Sequence, residues 1–459
     1  QAISLIESIV ICLISYILAL FIVNDLSYTP IANWVDADIR LSQYKGLILL
    51  TALIAILTGC LAGLYPAIRS TSYAPALVLK GSFGLSPKGK KVRVALIGFQ
   101  YTVSIALIIV TLFMGLQNHF MTSSEQLGFN KDQVAIVNLT PEIYAKHKPQ
   151  YIQKLKDYPG IEDVAFSVYE LSKEDDMIDL EYARHEDKDV FFKVFYASEN
   201  FLSVMDIQVE EGRDFTREDL NKAQSDYIIN PAAERDFHLH PGDRFNDRTV
   251  LGVSKDFRFN SCRIASSPFV FALNNDIPNP KLVSYIRFNS KTNLQEAVAH
   301  VRETLKEIDP TFPFEISFYN TILNNLYQKE QTLGKLISLF GIMAILISIV
   351  GVFGLVLFET QYRRKEIGIR KINGATTGQI LLMFNKTYIR IVSVCFIISI
   401  PIAWMGTQQW LENFAYKTPL HLWVFIVAFL IILSVTIGTV TFRNWQAANE
   451  NPVNSVKSE

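Results

Sequence analysis

The sequence has few of the residues on which disulfide-rich proteins and metalloenzymes depend. Its four cysteines form no framework, because Cys12, Cys60 and Cys395 lie in apolar segments and only Cys262 lies in the large polar insertion. The seven histidines show no metal-ligand spacing, so we expect neither a disulfide within the chain nor a metal site. Basic residues do not exceed acidic ones, at 43 against 44, which excludes a nucleic-acid binder by bulk charge.

Charge is also nearly absent from six long stretches of the chain. A run of ~20 apolar residues at roughly 1.5 Å each crosses the hydrocarbon core of a membrane. The six stretches are Ile3–Asn24, Gly46–Ile68, Val94–Asn118, Leu336–Phe358, Thr387–Thr407 and Pro419–Phe442. Only Glu7 and Arg390 place a charge inside them, each near an end. The sequence therefore predicts an α-helical polytopic membrane protein with six transmembrane helices.

The distribution of basic residues predicts the orientation of these helices. Residues 67–93 contain six basic residues and no acidic one, and residues 363–371 contain five basic residues against Glu366. The connections at residues 25–38 and 412–417 have few basic residues. Because short basic loops stay in the cytoplasm, we expect both basic loops and the C-terminal tail there. The insertion from His119 to Gln331 is then expected outside.

The membrane segments repeat. Pro75-Ala-Leu-Val-Leu-Lys80 follows the second segment, and Pro452-Val-Asn-Ser-Val-Lys457 follows the sixth by a similar stretch. Segments one and two thus correspond to segments five and six. In this register the counterpart of Arg363–Gly378 would precede Gln1, so we expect the chain to be the C-terminal part of a longer protein. Removal of a signal peptide is the weaker alternative.

The insertion shows the pattern of an extracytoplasmic mixed α/β domain. Five β-branched or aromatic runs predict strands, namely Val134–Leu139, Asp163–Val168, Val250–Val253, Leu282–Phe288 and Phe314–Phe318. The clearest helix starts at Asn293, with Glu296 placed as in a capping box, and ends at Asp309. We expect small β-α-β units in one or two lobes. The acidic run Glu174–Asp176 is interpreted as a solvated loop, with a cation site as the alternative.

The segments that flank the insertion are expected to extend beyond the membrane. From Thr321 to Phe358 nothing breaks a helix before Gly334, which predicts an outward stalk on the fourth membrane helix. The third segment is expected to do the same towards Phe120. A rigid helix that crosses an interface is a candidate element for transmitting movement.

A near match to a nucleotide-binding P-loop lies at residues 84–91. It fails because Lys91 stands where Ser or Thr would hold Mg²⁺, and because Pro87 interrupts the loop. We interpret it as a basic connector. We predict no catalytic residue and no cofactor, so any ATP hydrolysis must be supplied by a partner.

The stretch Arg363–Ile380 contains the most specific motif. Glu366-Ile-Gly-Ile-Arg-Lys-Ile-Asn-Gly-Ala375 directly follows a membrane segment and resembles the KEIGIRKVLGA signature of FtsX-like and MacB-like ABC transporter permeases. Shorter matches extend the resemblance over the chain, at Gly63–Pro66, Pro75–Gly81, Phe99–Ser104, Leu127–Gln133, Val250–Phe257, Asn451–Val453 and Lys457. The pattern is most similar to the two-repeat permeases of Bacteroidetes, which have eight membrane helices and two outer domains. Asn373 departs from it, since Leu is usual there.

The resemblance implies that this loop couples to a cytoplasmic ATPase. The implied coupling residues are Arg364, Lys365, Glu366, Ile367, Gly368, Ile369, Arg370, Lys371, Gly374 and Ala375. From spacing alone, Glu366 and Arg370 are expected to pair on one helical face, Gly368 to allow close backbone approach, and Gly374 to end a helical turn. The alternative is that the basic residues only fix topology and meet anionic lipid.

The resemblance also implies an organisation. Residues 1–80 would end the first permease repeat, 81–118 a linker and helix, 119–331 a MacB-like periplasmic core domain, and 332–459 a second FtsX-like module. The location would be a bacterial inner membrane. Implied partners are an ABC ATPase dimer, membrane lipid, and a periplasmic adaptor or outer-membrane channel, with no nucleic acid.

Two functional hypotheses follow. The first is a permease subunit that couples ATP hydrolysis by a partner, through mechanotransmission, to efflux or other periplasmic work. The alternative is a non-transporting FtsX-like scaffold that acts on cell-wall hydrolases or in peptide sensing. A membrane enzyme with its site in the outer domain is disfavoured, because no catalytic constellation is recognisable.

Overall fold

The computed structural model describes residues 2–26, 44–70, 87–123, 127–172, 179–222, 224–258, 261–273 and 282–449. In chain order the helices are α1 (Ala2–Leu26), α2 (Lys45–Ser70), α3 (Pro87–Thr122), α4 (Lys148–Lys156), α5 (Phe201–Met205), α6 (Pro231–Phe237), α7 (Leu294–Ile308), α8 (Tyr319–Leu326), α9 (Gln328–Tyr362), α10 (Arg364–Ile372), α11 (Thr377–Leu411) and α12 (Leu422–Asn449). The strands are β1 (Val134–Leu139), β2 (Ile161–Ser167), β3 (Asp179–His185), β4 (Lys188–Ala197), β5 (Val209–Gly212), β6 (Tyr227–Ile229), β7 (Arg244–Phe245), β8 (Arg248–Ser254), β9 (Phe269–Leu273), β10 (Leu282–Phe288) and β11 (Ile316–Phe318).

Six of these helices are long and apolar enough to cross a membrane, namely α1, α2, α3, α9, α11 and α12. This confirms the six predicted segments. The motifs at residues 75–81 and 451–457, the acidic run at 174–176 and the start of the P-loop-like stretch lie outside the described residues.

The chain divides into two compact units. The helical unit contains Gln1–Phe113, Thr332–Thr407 and His421–Glu459, and the α/β unit contains Met114–Gln331 with Gln408–Leu420. The assignment of residues 408–420 to the α/β unit was not anticipated, because this segment connects two membrane helices and is far from the insertion in sequence.

Small residues allow close packing in the helical unit. Gly59 and Gly63, on α2, face α1 so closely that an added Cβ would lie 2.8 Å from the Cα of Ile9 and 3.0 Å from the Cβ of Ser8. This spacing is the GxxxG pattern by which membrane helices approach without a large side chain between them. Polar pairs join other helices of the unit: Tyr101 Oη lies 2.9 Å from Thr436 Oγ1, and Ser104 Oγ lies 3.0 Å from Ser348 Oγ.

The described strands of the α/β unit form one 11-stranded sheet of order β11-β1-β10-β2-β4-β9-β6-β8-β5, with β3 on β4 and β7 on β8. Neighbours are mostly antiparallel, and β4–β9 and β6–β8 are parallel. A mixed α/β domain is therefore confirmed. β6-α6-β8 is a strand–helix–strand unit whose two strands pair in parallel. The described strands of the domain share one sheet rather than forming separate sheets in two lobes.

Alternation along β1 and β10 buries both faces of the sheet. Ile136 and Tyr285 pack on one side with α5 and α8, whereas Val137 and Ile286 pack on the other with α4 and α7. Successive strand residues point to opposite faces, so each strand contributes to two clusters. Tyr285 is entirely buried, as this arrangement requires.

Two motifs that carry the family resemblance contact each other in the α/β unit. Gly128 has φ +76°, and an added Cβ there would lie 2.1 Å from the carbonyl oxygen of Asp256. Leu127 O accepts a hydrogen bond from Arg258 N at 2.8 Å. Leu127 and Phe257 lie in the same buried cluster. The sequence motifs at 127–133 and 250–257 are thus two sides of one backbone contact.

Two local predictions need correction. The helix expected to run unbroken from Thr321 is interrupted at Tyr327, between α8 and α9, where Tyr327 is entirely buried. The capping box at Asn293 is only half formed, since Asn293 Oδ1 accepts from Gln295 N. Glu296 accepts from the Asn293 side chain rather than from its backbone N–H.

Candidate functional site

The stretch Arg363–Ile380 folds as a short helix, a tight turn and the start of a long helix. After α10, Gly374 adopts φ +89°, and its N–H donates to Lys371 O while Ala375 N donates to Arg370 O. These two bonds form a Schellman motif, which ends the helix. The positive φ at this position would strain a residue with a side chain, whereas glycine adopts it readily.

Thr376 then starts α11. Its Oγ1 accepts from Gln379 N at 3.3 Å, and Gln379 Oε1 accepts from Thr376 N at 3.1 Å. This reciprocal pair is a capping box. Residues 374–379 therefore end one helix and at once begin the next, which explains Gly374 and Thr376 in so short a connection.

Ion pairs fix α10 to its neighbours. Arg370 Nη2 lies 2.9 Å from Glu366 Oε1, which confirms the predicted pair. Arg363 lies 3.2 Å from Glu359 and 3.8 Å from Glu366, and its guanidinium lies over the ring of Phe384 at 5.9 Å. Arg363 therefore contacts the end of α9, the start of α10 and one face of α11.

Below α10 lies a set of buried or half-buried polar contacts, which we call the polar frame. It consists of Glu359, Thr360, Arg363, Asn385, Tyr388, Thr441 and Asn444. Tyr388 Oη donates to Glu359 at 3.3 Å, Thr360 Oγ1 donates to Asn444 Oδ1 at 2.8 Å, and Asn385 donates to Thr441 at 2.9 Å. Buried polar groups in a membrane helix are stable only when paired, so these contacts fix α9, α11 and α12 at the α10 end.

The two sides of α10 differ. Ile367 is 4 % exposed and Gly368 is buried, whereas Ile369 and Ile372 are 55 % and 66 % exposed. Ile369 and Ile372 are three residues apart and so lie on the same side of the helix. Arg370 is also exposed. An exposed apolar pair on one side of a helix is a surface that a protein can bind.

Most of the predicted coupling residues lie in this element. Glu366, Ile367, Gly368, Ile369, Arg370 and Lys371 are on α10, and Gly374 and Ala375 form its end. The side chains of Arg364 and Lys365 lie outside the described part of the chain. The sequence analysis did not include Ile372 among the coupling residues, although its i,i+3 spacing from Ile369 would have indicated that both lie on one side of the helix. It also missed Glu359 and Tyr388, whose pairing across two helices has no local signal.

A second structured element lies in the α/β unit, where segment 408–420 meets the domain. Met121, Cys262, Tyr327 and Phe414 are buried together, and we call this group the joint cluster. It brings together the last turn of α3, a loop after β8, the break between α8 and α9, and the segment that follows α11.

Hydrogen bonds hold segment 408–420 on this cluster. Gln117 donates to Tyr416 O at 3.0 Å and accepts from Thr418 N at 2.8 Å. Tyr416 N donates to Cys262 O at 3.1 Å, and Tyr416 Oη accepts from Ser266 N at 3.1 Å. Each such bond stabilises by about 1 kcal/mol, and together they fix the segment at both its backbone and its side chains.

Charged side chains border the joint cluster. The Arg258 guanidinium lies 4.0 Å from the centroid of the Tyr416 ring, and Arg263 lies 5.0 Å from that of Phe414. Arg263 also donates to Glu330 at 2.7 Å, in the first turn of α9. Burial raises the pKa of the Cys262 thiol, so this cysteine stays in the unreactive protonated form.

One histidine does approach two carboxylates. Ligand atoms of Glu211, Glu234 and His240 all lie within 4.8 Å of one another on the surface of the α/β unit. His240 Nδ1 lies 3.5 Å from Glu234 Oε1. Glu211 and His240 are exposed. Exposed charged groups of this kind are common on protein surfaces that bind no metal ion.

Comparison with known proteins places these elements in a family. A model of the FtsX-like permease C-terminal region matches residues 338–452, which include the polar frame and α10. The macrolide export ATP-binding/permease protein MacB of Aggregatibacter actinomycetemcomitans is 25% identical over 212 residues, covering 43% of this chain and 32% of the relative. MacB of Neisseria gonorrhoeae is 25% identical over 223 residues, covering 46% of this chain and 34% of the relative. The chain thus spans about a third of the length of these relatives.

Solved structures also match. The periplasmic region of MacB from Actinobacillus actinomycetemcomitans gives a TM-score of 0.32 at 16% identity, covering 43% of this chain and 94% of that structure. The extracellular domain of the ABC-type transporter YknZ from Gram-positive bacteria gives 0.30 at 16% identity, covering 40% and 98%. The match of residues 338–452 to the FtsX-like permease C-terminal family and the similarity to MacB together support an FtsX/MacB-like ABC permease.

Proposed function

We propose that the chain is the permease subunit of an ABC-type complex in which α10 docks a cytoplasmic ATPase dimer. The observation that carries this proposal is the exposed side of α10, where Ile369 and Ile372 lie together on a helix that Arg363 joins to α9 and α11. FtsX-like proteins are membrane permease components that are generally not themselves catalytic, and in this proposal the partner hydrolyses ATP.

The magnitudes favour a docking role over a purely structural one. An exposed i,i+4 ion pair such as Glu366–Arg370 stabilises a helix by only ~0.3–0.5 kcal/mol. Exposing Ile369 and Ile372 to water contributes nothing to folding of this chain, whereas burying each against a partner would contribute about 1.5–3 kcal/mol. The exposed apolar pair therefore makes sense as a binding surface.

We place the protein in a bacterial inner membrane, with the basic loops in the cytoplasm and the α/β unit in the periplasm. The positive-inside distribution supports this orientation. The helices α3 and α9 have residues in both units, and mechanotransmission would act through them. The work done would be export or another periplasmic task, with a periplasmic adaptor or outer-membrane channel as a further partner.

Co-purification tests the proposal. Tagged full-length protein is purified from its native membranes, and the ATPase recovered with it is quantified by mass spectrometry. We expect Ile369→Asp and Ile372→Asp each to lower ATPase recovery at least about tenfold, because a charge would replace a buried contact. The matched control is Ile264→Asp, at a residue of the α/β unit that is 58 % exposed. Equal ATPase recovery from all three variants and the wild type would refute docking through α10.

A second comparison separates partner contact from helix stability. The double variant Glu366→Arg with Arg370→Glu keeps an ion pair within the helix. It reverses the sign of the charge that a partner would contact at each position. If the pair is only structural, the exchange restores association lost in Arg370→Glu alone. We expect it not to restore association.

A further inference from the structure

A long groove runs along the helical unit between α3 and α11. It has a volume of about 1020 Å³ and is lined from Val94 to Val110 on α3 and from Arg390 to Gly406 on α11. At roughly 1.5 Å per residue each wall is about 24 Å long, which is most of the ~30 Å thickness of a membrane hydrocarbon core. The groove therefore has the length and direction of the lipid chains around it.

The walls of the groove are mostly apolar, and several of their side chains are exposed. An added Cβ on Gly98 would lie 3.5 Å from Cys395 Sγ, so the Cys395 side chain reaches α3 at van der Waals distance there. Phe99, Val394 and Ile398 line the groove and are 72 %, 57 % and 50 % exposed. Such walls accept hydrocarbon and offer few hydrogen-bonding groups.

One end of the groove carries positive charge. Arg390 lines it, and Lys386 lies one turn earlier on the same face of α11. Both side chains are exposed, and neither forms an ion pair within the part of the chain that the structure describes. The other wall begins at Val94, immediately after the basic sequence residues Lys88, Lys90, Lys91 and Arg93. The same end of both helices is therefore cationic.

A cation at the edge of the hydrocarbon core is costly unless an anion neutralises it. Basic pockets between membrane helices on the cytoplasmic side bind anionic lipid headgroups. We propose that the groove is a binding site for an anionic phospholipid of the cytoplasmic leaflet. Its phosphate lies on Arg390 and Lys386, and an acyl chain lies along Phe99, Val394 and Ile398.

Charge complementarity is what favours this occupant. An apolar helix, or a second copy of this groove, would cover the walls but would leave Arg390 without a counter-charge. The leaflet follows from the orientation given under the proposed function. Lipid binding itself needs no ATPase, so failure of the docking proposal leaves this inference intact, and the reverse also holds.

The test is lipid binding by purified, delipidated full-length chain, measured by native mass spectrometry. The probes are phosphatidylglycerol and phosphatidylcholine with identical acyl chains. We expect the wild type to bind phosphatidylglycerol at least about tenfold more tightly, because each cation contributes roughly fivefold. Arg390→Gln should lower the affinity for phosphatidylglycerol about fivefold and leave phosphatidylcholine unchanged.

Two further variants separate the effect of the positive charge from the effect of filling the groove. Ala95→Trp fills the charged end of the groove, where Ala95 is exposed, and should weaken both lipids. Lys417→Gln removes an exposed cation on the other side of the membrane and should change neither affinity.

Wild-type protein that does not distinguish the two lipids, or Arg390→Gln protein that keeps the full preference, would overturn the proposal. Efficient disulfide-linked dimers of a Phe99→Cys variant would also overturn it, because a second copy would then cover the groove.

Discussion

At the scale of single residues, Asp219 is a buried carboxylate of the α/β unit that is enclosed by several hydrogen-bond donors. It is 2% exposed and accepts hydrogen bonds from both Arg213 nitrogens, at 2.7 Å and 2.9 Å, and from the backbone and hydroxyl of Thr216. Lys222 approaches to 3.1 Å. The Arg213 guanidinium, with these further donors, holds the pKa of Asp219 well below its usual range.

The Asp219→Asn variant should lower the free energy of unfolding of the α/β unit by about 2 kcal/mol at pH 7, the range for hydrogen bonds to a charged group. Because the folded pKa lies below the unfolded value of about 3.9, this stabilisation is present above pH ~4. It is lost as pH falls through the folded value. The difference between variant and wild type should therefore shrink below pH ~4.

Urea titrations read by hydrogen exchange in peptides covering residues 209–229 would measure this difference. Asp187→Asn is the control, since the Arg184–Asp187 pair is exposed and Asn tolerates the φ of +61° at that position. A difference that stayed constant down to pH 3 would contradict the assignment of the stabilisation to the ionised Asp219.

At the scale of elements, the end of α10 depends on one backbone conformation. Gly374→Ala forces a side chain into φ +89°, at a cost of about 1 kcal/mol. We expect the last turn of α10 to open more often, with hydrogen exchange about fivefold faster in peptides covering 366–378. Gly378→Ala is the matched control, because its Cβ would meet nothing closer than 3.9 Å and alanine favours helix. Equal exchange in both variants would show that the Schellman turn does not limit α10.

The segment 408–420 should control access to Cys262. In a background in which Cys12, Cys60 and Cys395 are serine, we expect buried Cys262 to react slowly with maleimide at pH 7, because it is 1% exposed and its thiol pKa is raised. Tyr416→Ala removes the ring below Arg258 and the acceptor for Ser266 N. The labelling rate should rise at least about tenfold, corresponding to ~1.4 kcal/mol of opening free energy.

Tyr416→Phe keeps the ring and loses only the hydroxyl, so its labelling rate should lie between those of wild type and Tyr416→Ala. Lys417→Gln, at an exposed neighbour, should label like the wild type. If Tyr416→Ala also labels like the wild type, the segment does not hold the joint cluster closed.

Elements also show what the sequence could predict. The strand β10 was predicted to the residue from its β-branched and aromatic residues, although it too is almost entirely buried. β9 was missed, because Phe269–Leu273 is a run of five buried residues. A buried strand of this kind shows no alternation and cannot be told from a short helical segment by periodicity. In the same way, the Glu366–Arg370 pair followed from i,i+4 spacing, whereas Tyr388–Glu359 depends on how two helices pack.

At the scale of the whole molecule, hydropathy predicted all six membrane helices, because contact with lipid requires long continuous apolar runs. It underestimated their lengths. α9 begins at Gln328 rather than Leu336, and α11 begins at Thr377 rather than Thr387. These extra turns contain polar residues, so a segment defined by hydropathy is shorter than the helix that contains it. The membership of residues 408–420 in the α/β unit depends on contacts made by Tyr416 and Phe414, and no sequence pattern announces such contacts.

We propose that the exposed side of α10 contacts an ATPase. Site-specific photocrosslinking from residue 372 in native membranes would detect this contact, with the same crosslinker at residue 264 as the control. We expect a covalent adduct between residue 372 and an ATPase subunit, and none from residue 264. Adducts from residue 372 to lipid alone would contradict it, and would mean that the basic residues of this loop only meet the membrane.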